Sequence, residues 1–318
     1  MKYRRLGTTG LKVSEIGFGA WGIGGDVNGS VAYGPTDDKE SRRALQRAFE
    51  LGVTFYDTAD FYGYGHSEEL IGQTLRDVRS QVVIATKVGL LDATGRHDFT
   101  RRHIKQSIER SLRRLGTDYV DLYQLHSPPI DELDGEMLST LQLLQVEGKI
   151  RAFGISVRAP DDALVAIERL GIKCIQVNFN LVDQRAVESG LLAKCEKEDV
   201  GVIVRTPLCF GFLTGAYSTN TQFQESDHRN RWSTEQIRRW SEAWRVFFSD
   251  REKATSQTPS HFALRFCLSY PEVSTAIPGM LTRKHVEENV AASHFDAMSR
   301  TALERLLAVY RESQFIVK

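Results

Sequence analysis

Four residues of the chain are of types that carry out acid–base chemistry: Asp57, Tyr62, Lys87 and His126. A tyrosine alone is a weak acid at neutral pH, because its unperturbed pKa is about 10. A lysine ammonium beside the phenol would stabilise the phenolate, and Asp57 would keep that lysine charged and oriented. Such a tyrosine can protonate a carbonyl oxygen on which negative charge builds, while His126 hydrogen-bonds the same oxygen. The residue types therefore predict acid-assisted chemistry at a carbonyl group.

For this chemistry the four side chains must lie close together, and the predicted secondary structure would bring them together. Short β-branched runs alternate with stretches of helical periodicity, which is typical of βα units in a parallel sheet. Eight strands are predicted, at residues 12–18, 53–57, 82–87, 119–125, 151–156, 173–178, 200–205 and 273–277. Eight strands close an α/β fold of the (β/α)8 TIM barrel type, whose strands all end at one mouth. Ser156, Gln176 and Asn178 also stand at strand ends and are expected at that mouth.

The whole chain, residues 1–318, is interpreted as one barrel domain. No composition shift or flexible linker divides it, and all eight prolines fall at the edges of predicted segments. A long polar, glycine-rich connection at about 209–233 is predicted to be a functional loop. An added helix is expected at about 297–311.

The composition excludes several classes of protein. The 41 basic and 41 acidic residues cancel, which argues against a protein that coats nucleic acid or an anionic membrane. No apolar run approaches the ~20 residues of a membrane span, and the first residues lack the apolar core of a signal peptide. We therefore expect a cytoplasmic protein. The four cysteines form no cluster with the spacing of metal ligands, so no metal site is predicted.

A glycine motif at Gly17, Gly19 and Gly22 matches the GxGxxG pattern of dinucleotide-binding Rossmann folds. That fold requires a helix directly after the motif, whereas loop-forming residues continue here for about a dozen positions. The order of eight alternating strands also conflicts with a Rossmann fold. We interpret these glycines as a strand end that passes close to a ligand or into a loop.

Seven stretches of the sequence resemble, in order and spacing, motifs of the aldo-keto reductases. They are GVTFYDTADFYGYGHSE, VVIATK, DYVDLYQLH, GKIRAFGIS, IQVNFN, TPLCFGFLTGAY and IPGMLTRKHVEENVAA. The resemblance implies a (β/α)8 barrel that binds an extended nicotinamide cofactor without a Rossmann fold. It also implies hydride transfer from the nicotinamide to an aldehyde or ketone, with a tyrosine supplying the proton. The catalytic tetrad of the family falls on Asp57, Tyr62, Lys87 and His126, and all four residue types are retained.

The same resemblance implies contacts to the cofactor. Ser156 and Gln176 match the partners of the nicotinamide carboxamide, and Arg205 lies where many relatives place a ring-stacking residue, often tyrosine. Arg283 or His285 would lie near a 2′-phosphate, so NADP(H) is expected in preference to NAD(H). The complete set of implied cofactor-binding residues is Gly19, Ala20, Trp21, Asp57, Ser156, Gln176, Arg205, Thr206, Pro207, Leu208, Gly211, Leu213, Gly215, Gly279, Arg283, His285, Glu288 and Asn289.

The sequence departs from the family pattern at three places. Val157 stands where much of the family has asparagine, which removes one contact to the carboxamide. Gly279 and Met280 stand where some members carry a lysine and a serine for the 2′-phosphate. Ala216 replaces a residue that is often lysine in the loop over the pyrophosphate. The expected preference for NADP(H) therefore depends on the residues that follow Met280.

The substrate is expected to be a small carbonyl compound with some apolar surface. Its contacts would come from Trp21, Phe61, Tyr62 and His126, together with the tips of the loops at 88–99, 127–132 and 209–233. Loops are the most variable part of such a barrel, so the identity of the substrate stays open, as does the oligomeric state.

The same residues also allow functions other than carbonyl reduction. Lys87 could act as the Schiff-base nucleophile of a lyase, although Asp57 as a close partner would keep the amine charged. The chain could also be a cofactor-binding regulatory subunit of a larger complex, as some aldo-keto relatives are. A hydrolase that uses Asp57 with Asp60 or Glu68 is disfavoured, because Glu68 is predicted in the first turn of a helix.

Overall fold

The computed structural model describes residues 1–27, 31–248 and 257–317 and contains an eight-stranded parallel sheet that closes into a barrel. The chain begins with an antiparallel hairpin of β1 (Tyr3–Arg5) and β2 (Lys12–Ser14). The barrel strands follow in chain order: β3 (Phe18–Gly19), β4 (Phe55–Asp57), β5 (Val83–Val88), β6 (Val120–His126), β7 (Ile150–Ser156), β8 (Cys174–Asn178), β9 (Gly201–Arg205) and β10 (Val273–Ile277). The predicted (β/α)8 TIM barrel is confirmed.

Helices pack around the barrel. They are α1 (Asp38–Glu50), α2 (His66–Leu75), α3 (Arg101–Leu115), α4 (Gly135–Val146), α5 (Pro160–Leu170), α6 (Arg185–Glu188), α7 (Leu191–Glu198), α8 (Thr234–Phe247), α9 (Pro259–Leu268), α10 (Arg283–Ala291) and α11 (Arg300–Glu312). Side-chain caps mark the start of several of them: Asp37 accepts hydrogen bonds from two amides of α1, and Thr100 accepts one from α3. Within the described residues, no helix combines the length and the hydropathy that a membrane span requires.

The predicted strand at 12–18 is wrong in its extent. Residues 12–14 belong to β2 and pair with β1, and only the two-residue β3 enters the barrel sheet. The reason is burial, because Leu6, Leu11 and Val13 pack against inward-facing apolar residues of the barrel strands. The hairpin thereby covers the end of the barrel opposite the mouth.

The seam between β3 and β10 is held by isolated contacts because β3 is so short. The Gly19 amide donates to the Pro278 carbonyl at 3.0 Å, and Gly19 and Gly279 form a parallel bridge. A Cβ atom on Gly19 would lie 2.7 Å from the Ile277 carbonyl oxygen. The backbones at this seam therefore approach too closely for a side chain on Gly19.

The barrel interior is apolar toward the hairpin and polar toward the mouth. Ala85, Leu122 and Cys174 belong to the apolar cluster that includes the hairpin residues. Two residues further along the same strands, where the side chain faces inward again, stand the buried residues Lys87, Gln124 and Gln176. One end of the barrel is thus a packed core, and the other end is a polar site.

We predict that Gly19→Ala lowers the free energy of unfolding by about 1–3 kcal/mol, because the new methyl group would overlap the carbonyl oxygens across the seam. The matched control is Gly279→Ala at the partner position of the bridge. No atom of the described residues lies within 4 Å of a Cβ atom added there, so a change within about 0.5 kcal/mol is expected. Urea unfolding followed by circular dichroism measures both variants. Equal stability of Gly19→Ala and the wild type would contradict the close approach at the seam.

Candidate active site

Lys87 lies at the centre of the mouth and is fully buried near the end of β5. Its ammonium donates three hydrogen bonds: to Asp57 Oδ1 at 2.6 Å, to the Thr58 carbonyl at 2.8 Å and to the Tyr62 hydroxyl oxygen at 3.1 Å. All three N–H groups of the ammonium are therefore used. Burial favours the neutral amine, but Asp57 and Tyr62 outweigh this effect and raise the pKa of Lys87. The geometry keeps the lysine charged and in contact with the phenol.

Asp57 accepts hydrogen bonds on both carboxylate oxygens. Oδ1 accepts from Lys87, while Oδ2 accepts from Gln124 Nε2 at 3.1 Å and from Gln176 Nε2 at 2.7 Å. Gln176 Oε1 in turn accepts from Ser156 Oγ at 3.3 Å. Each of the strands β4 to β8 contributes one residue to this network, so the register of the barrel sets its geometry.

Gln124 is a site residue that reasoning from the sequence missed. It is fully buried, and its amide group also accepts from Gln176 Nε2 at 3.3 Å. A signal for it exists in the sequence, because Gln124 stands two residues before His126 on β6. The period of two along a strand places both side chains on the inward face, one below the other.

Tyr62 reaches Lys87 from the loop that follows β4. A 3-10 helix (Tyr62–Gly65) turns the chain there, and Gly63 and Gly65 have left-handed φ angles of 61° and 100°. A Cβ atom on Gly63 would lie 2.3 Å from the Gly24 carbonyl oxygen, so this loop packs backbone to backbone against the loop after β3. Because the Tyr62 oxygen accepts from Lys87, the hydroxyl proton of Tyr62 remains available to a ligand in the mouth.

His126 ends β6 and is 9% exposed. Its ring meets the Tyr62 ring edge-on, with the centroids 5.8 Å apart and the planes at 82°. Its Nδ1 atom is buried and has no hydrogen-bond partner among the described residues. Burial holds the pKa of His126 well below its usual value, and the positive charges of Lys87 and Arg205 lower it further. The imidazole is therefore uncharged at neutral pH.

Aromatic side chains form one wall of the mouth. The Trp21 ring lies 6.5 Å from the Tyr62 ring and 4.5 Å from the His228 ring, measured between centroids. The Phe61 ring lies 6.5 Å from the His126 ring in an edge-on arrangement. The four residues predicted to contact the substrate, Trp21, Phe61, Tyr62 and His126, are thus neighbours around one opening.

Ala32, Tyr33, Asp227 and His228 form a contact that we call the rim clasp. Asp227 forms backbone bridges with both Ala32 and Tyr33, and the His228 amide donates to the Ala32 carbonyl at 2.9 Å. The rim clasp joins the loop after β3 to the long connection after β9. It also seats the His228 ring against Trp21. The sequence indicated a long functional loop here but not what the loop would contact.

The predicted cofactor-binding residues fall into two groups. The first group lies at the mouth of the barrel and has two parts. One part stands in or beside the strands: Gly19, Ala20, Trp21, Asp57, Ser156, Gln176 and Arg205. The other part lies in the segment after β9, which includes the 3-10 helix Cys209–Thr214: Thr206, Pro207, Leu208, Gly211, Leu213 and Gly215. Arg205 Nη2 donates to the Val157 carbonyl at 2.7 Å, which fixes the guanidinium at the ends of β7 and β9.

The second group lies at α10 and the residues before it: Gly279, Arg283, His285, Glu288 and Asn289. Asn289 is buried, and its Nδ2 donates to the Gly279 carbonyl at 3.4 Å. Arg283 and His285 are exposed in the first turn of α10. The Arg283 amide donates to Glu40 Oε1 at 3.2 Å, a contact with α1 that the sequence did not indicate.

The chain is similar to proteins of one family over most of its length. A sequence model described as "Aldo/keto reductase family" matches residues 15–311. The aldo-keto reductase yakc of Schizosaccharomyces pombe, whose name specifies NADP(+), is 30% identical over 295 residues and spans 88% of this chain and 84% of that protein. The NADH-specific methylglyoxal reductase of Escherichia coli is 30% identical over 312 residues, with coverages of 92% and 93%.

Two further matches extend the range of these relatives. A probable voltage-gated potassium channel subunit beta of Arabidopsis thaliana is 29% identical over 312 residues, covering 92% of this chain and 91% of that protein. The solved structure of an aldo-keto reductase from Bacillus halodurans in its holo form superimposes with a TM-score of 0.80 at 29% identity. It covers 100% of this chain and 98% of that one.

The electrostatics of the mouth can be tested by a histidine titration. We predict that the NMR signals of His126 stay constant between about pH 6 and 8, because its imidazole gains a proton only well below the usual value of about 6.5. His97 is the internal control, since the Gly95 carbonyl and Glu132 raise its pKa, and its signals should titrate above about 6.5. The variant His126→Asn assigns the resonances. A midpoint for His126 at or above that of His97 would contradict the burial and charge balance described.

Proposed function

The chain belongs to the aldo/keto reductase family, and we propose that it reduces an aldehyde or ketone to an alcohol with NADP(H) as the hydride donor. The observation that carries the proposal is the buried Lys87 ammonium, which bridges the Asp57 carboxylate at 2.6 Å and the Tyr62 phenol at 3.1 Å. This arrangement suits a tyrosine that must act as an acid near neutral pH. We further propose that residues 1–318 form one domain that acts on a small molecule in the cytoplasm.

The residues of the mouth fit a nicotinamide, which supplies the hydride when bound. Gln176 uses both of its amide hydrogens, on Asp57 and Gln124. Its Oε1 atom accepts one hydrogen bond from Ser156 Oγ, and its second lone pair remains available to accept from the N–H of a carboxamide. Arg205 Nε is buried without a partner among the described residues, at the place assigned to the ring. These unused hydrogen-bonding groups support binding of a polar aromatic amide.

The segment after β9 fits a diphosphate. Thr206, Cys209 and Phe210 hold left-handed φ angles of 53°, 45° and 55°, although none of them is glycine. Such strained backbone persists where the surrounding structure or a ligand requires it. We assign this segment to the diphosphate and the start of α10 to the adenosine end, because a helix N-terminus favours a negative group.

In the proposed reaction, Tyr62 donates its hydroxyl proton to the carbonyl oxygen. Lys87 stabilises the phenolate that remains, and Asp57 keeps Lys87 charged and in place. Uncharged His126 hydrogen-bonds the carbonyl oxygen and orients it toward Tyr62. Trp21 and Phe61 contact the apolar part of the substrate and exclude water from the reacting groups.

The alternatives make different demands on the same residues. A Schiff-base lyase needs a neutral Lys87 amine, whereas the raised pKa and the three hydrogen bonds of this ammonium favour the charged form. A regulatory subunit would bind the cofactor with little turnover. One relative is named as a probable channel subunit, which favours that alternative. The chain retains all four residues of the proposed tetrad, Asp57, Tyr62, Lys87 and His126, which favours catalysis.

We predict that Tyr62→Phe lowers kcat for a generic aldehyde such as a nitrobenzaldehyde by about 10²–10⁴-fold, because the proton donor is lost. Cofactor affinity, measured by NADPH fluorescence, should stay within about twofold, because the phenyl ring keeps the same shape. The matched control is Tyr64→Phe in the same loop, where the side chain is 45% exposed and normal turnover is expected.

Two results would count against this assignment. Normal aldehyde reduction by Tyr62→Phe would show that the proton comes from another group. Tight NADPH binding by the wild type without turnover, over a panel of aldehydes and ketones, would favour the regulatory subunit.

Cofactor preference can be tested at the contact between Glu40 and α10. The Glu40 carboxylate accepts from the Arg283 amide, where the 2′-phosphate of NADPH is proposed to bind, so two negative groups compete. Glu40→Gln should raise the affinity for NADPH about three- to tenfold and leave NADH nearly unchanged. Glu50→Gln removes an acid from the other end of α1 and serves as control. Equal changes for both cofactors would place the 2′-phosphate elsewhere.

A further inference from the structure

Arg205 differs from Lys87 because no carboxylate of the described residues forms an ion pair with it. Its Nη2 donates to the Val157 carbonyl at 2.7 Å, and its buried Nε has no hydrogen-bond partner within the described part of the chain. Over residues 1–27, 31–248 and 257–317, no aspartate or glutamate forms an ion pair with this guanidinium. Burial lowers the pKa of Arg205, and among the neighbouring titratable groups Tyr62 acts on it most strongly. A guanidinium remains charged at neutral pH, so Arg205 presents a fixed cation next to the reacting groups.

The charge balance of the mouth is positive. Lys87 and Asp57 cancel one another in a direct ion pair. His126 is uncharged, for the reasons given above. The carboxylates of Asp57 and Asp183 also act on Arg205, but Asp57 is paired with Lys87 and Asp183 with Arg185 at 2.7 Å. Arg205 therefore has no ion-pair partner of its own among the described residues, and the nearby Arg158 adds to its positive charge. A ligand that gains a positive charge inside this mouth meets electrostatic repulsion.

We propose that Arg205 makes the mouth discriminate between the two oxidation states of the nicotinamide, so that the reduced form binds more tightly than the oxidised form. This inference rests on the proposed function, since it requires a nicotinamide ring beside Arg205. The reduced ring is uncharged, whereas the oxidised ring is a pyridinium with one positive charge. A tyrosine at this position would stack on either form without this charge repulsion.

The proposed discrimination has a direction within the reaction. Hydride, a proton with two electrons, leaves the reduced ring for the carbonyl carbon, while the carbonyl oxygen takes a proton from Tyr62. The cofactor is then cationic beside Arg205, and the repulsion favours its departure. Arg205 therefore acts on the exchange of the used cofactor for a fresh one, separately from proton donation by Tyr62.

The test compares the dissociation constants of NADPH and NADP+ in three variants of Arg205. Arg205→Gln removes the charge and keeps a planar donor for the Val157 carbonyl, and Arg205→Tyr is a second uncharged variant. Arg205→Lys keeps the charge. Fluorescence titration gives Kd for NADPH, and competition gives Kd for NADP+. Arg300→Gln controls for net charge, because Arg300 is 92% exposed on α11.

The ratio of Kd for NADP+ to Kd for NADPH is the measured quantity. Both uncharged variants should lower it about tenfold or more, chiefly by tighter binding of NADP+, while Arg205→Lys and Arg300→Gln stay within about threefold of the wild type. A tenfold change corresponds to about 30 mV in the midpoint potential of the bound two-electron couple.

Three results would overturn the inference. The ratio could be unchanged in a folded Arg205→Gln or Arg205→Tyr protein. Both cofactor forms could weaken equally, which would reduce Arg205 to a packing role. Arg205→Lys could change the ratio as much as the uncharged variants do. Failure of the wild type to bind either form is a distinct outcome, because it would overturn the proposed function as well.

Discussion

The buried contact between Lys87 and Asp57 is the interaction on which the rest of the site depends. Transfer of one charge into a protein interior costs several kcal/mol, and removal of either partner would leave the other charge exposed to that cost. Here the carboxylate accepts three hydrogen bonds and the ammonium donates three. The pair is tolerated because all three ammonium hydrogens and both carboxylate oxygens form hydrogen bonds. The Tyr62 phenol accepts one of these hydrogen bonds, so the proposed proton donor is also part of what stabilises the ion pair.

The barrel divides its interior into two parts with different physical roles. The hairpin closes one end with apolar residues, and burial of that surface stabilises the fold without a ligand. The other end holds polar groups that are bonded mostly to one another. Two nitrogen atoms there, His126 Nδ1 and Arg205 Nε, have no hydrogen-bond partner among the described residues. Unpaired buried nitrogens are unfavourable in the free protein. A ligand that pairs with them recovers that free energy on binding.

The sequence was sufficient for those parts of the structure that depend on local pattern. Seven of the eight barrel strands lie within about two residues of their predicted limits, and Asp37 and Thr100 cap helices as their residue types suggest. The run at 12–18 misled because a β-branched stretch does not specify its partner, and β1 was available nearby. Gln124 was not predicted because only residues at the strand ends were considered, and Gln124 stands one inward-facing position before the end of β6.

Contacts between distant loops were beyond prediction for a different reason. The pairing of Glu40 with the Arg283 amide depends on how α1 and α10 lie side by side. Whether a carboxylate pairs with Arg205 depends on every side chain around the mouth, and none of the described residues provides one. Neither is encoded in a local pattern of residue types. Both lie next to residues at which we propose that the cofactor binds.

The rim clasp has a consequence for protein engineering. Ala32 and Asp227 belong to loops almost two hundred positions apart in the chain, yet backbone bridges hold them together as one surface. A chimaera that takes only one of these loops from a relative would lose the matching backbone partner and release Trp21 from His228. Loop grafts intended to change the range of accepted compounds should therefore exchange the two segments together, as a single cassette.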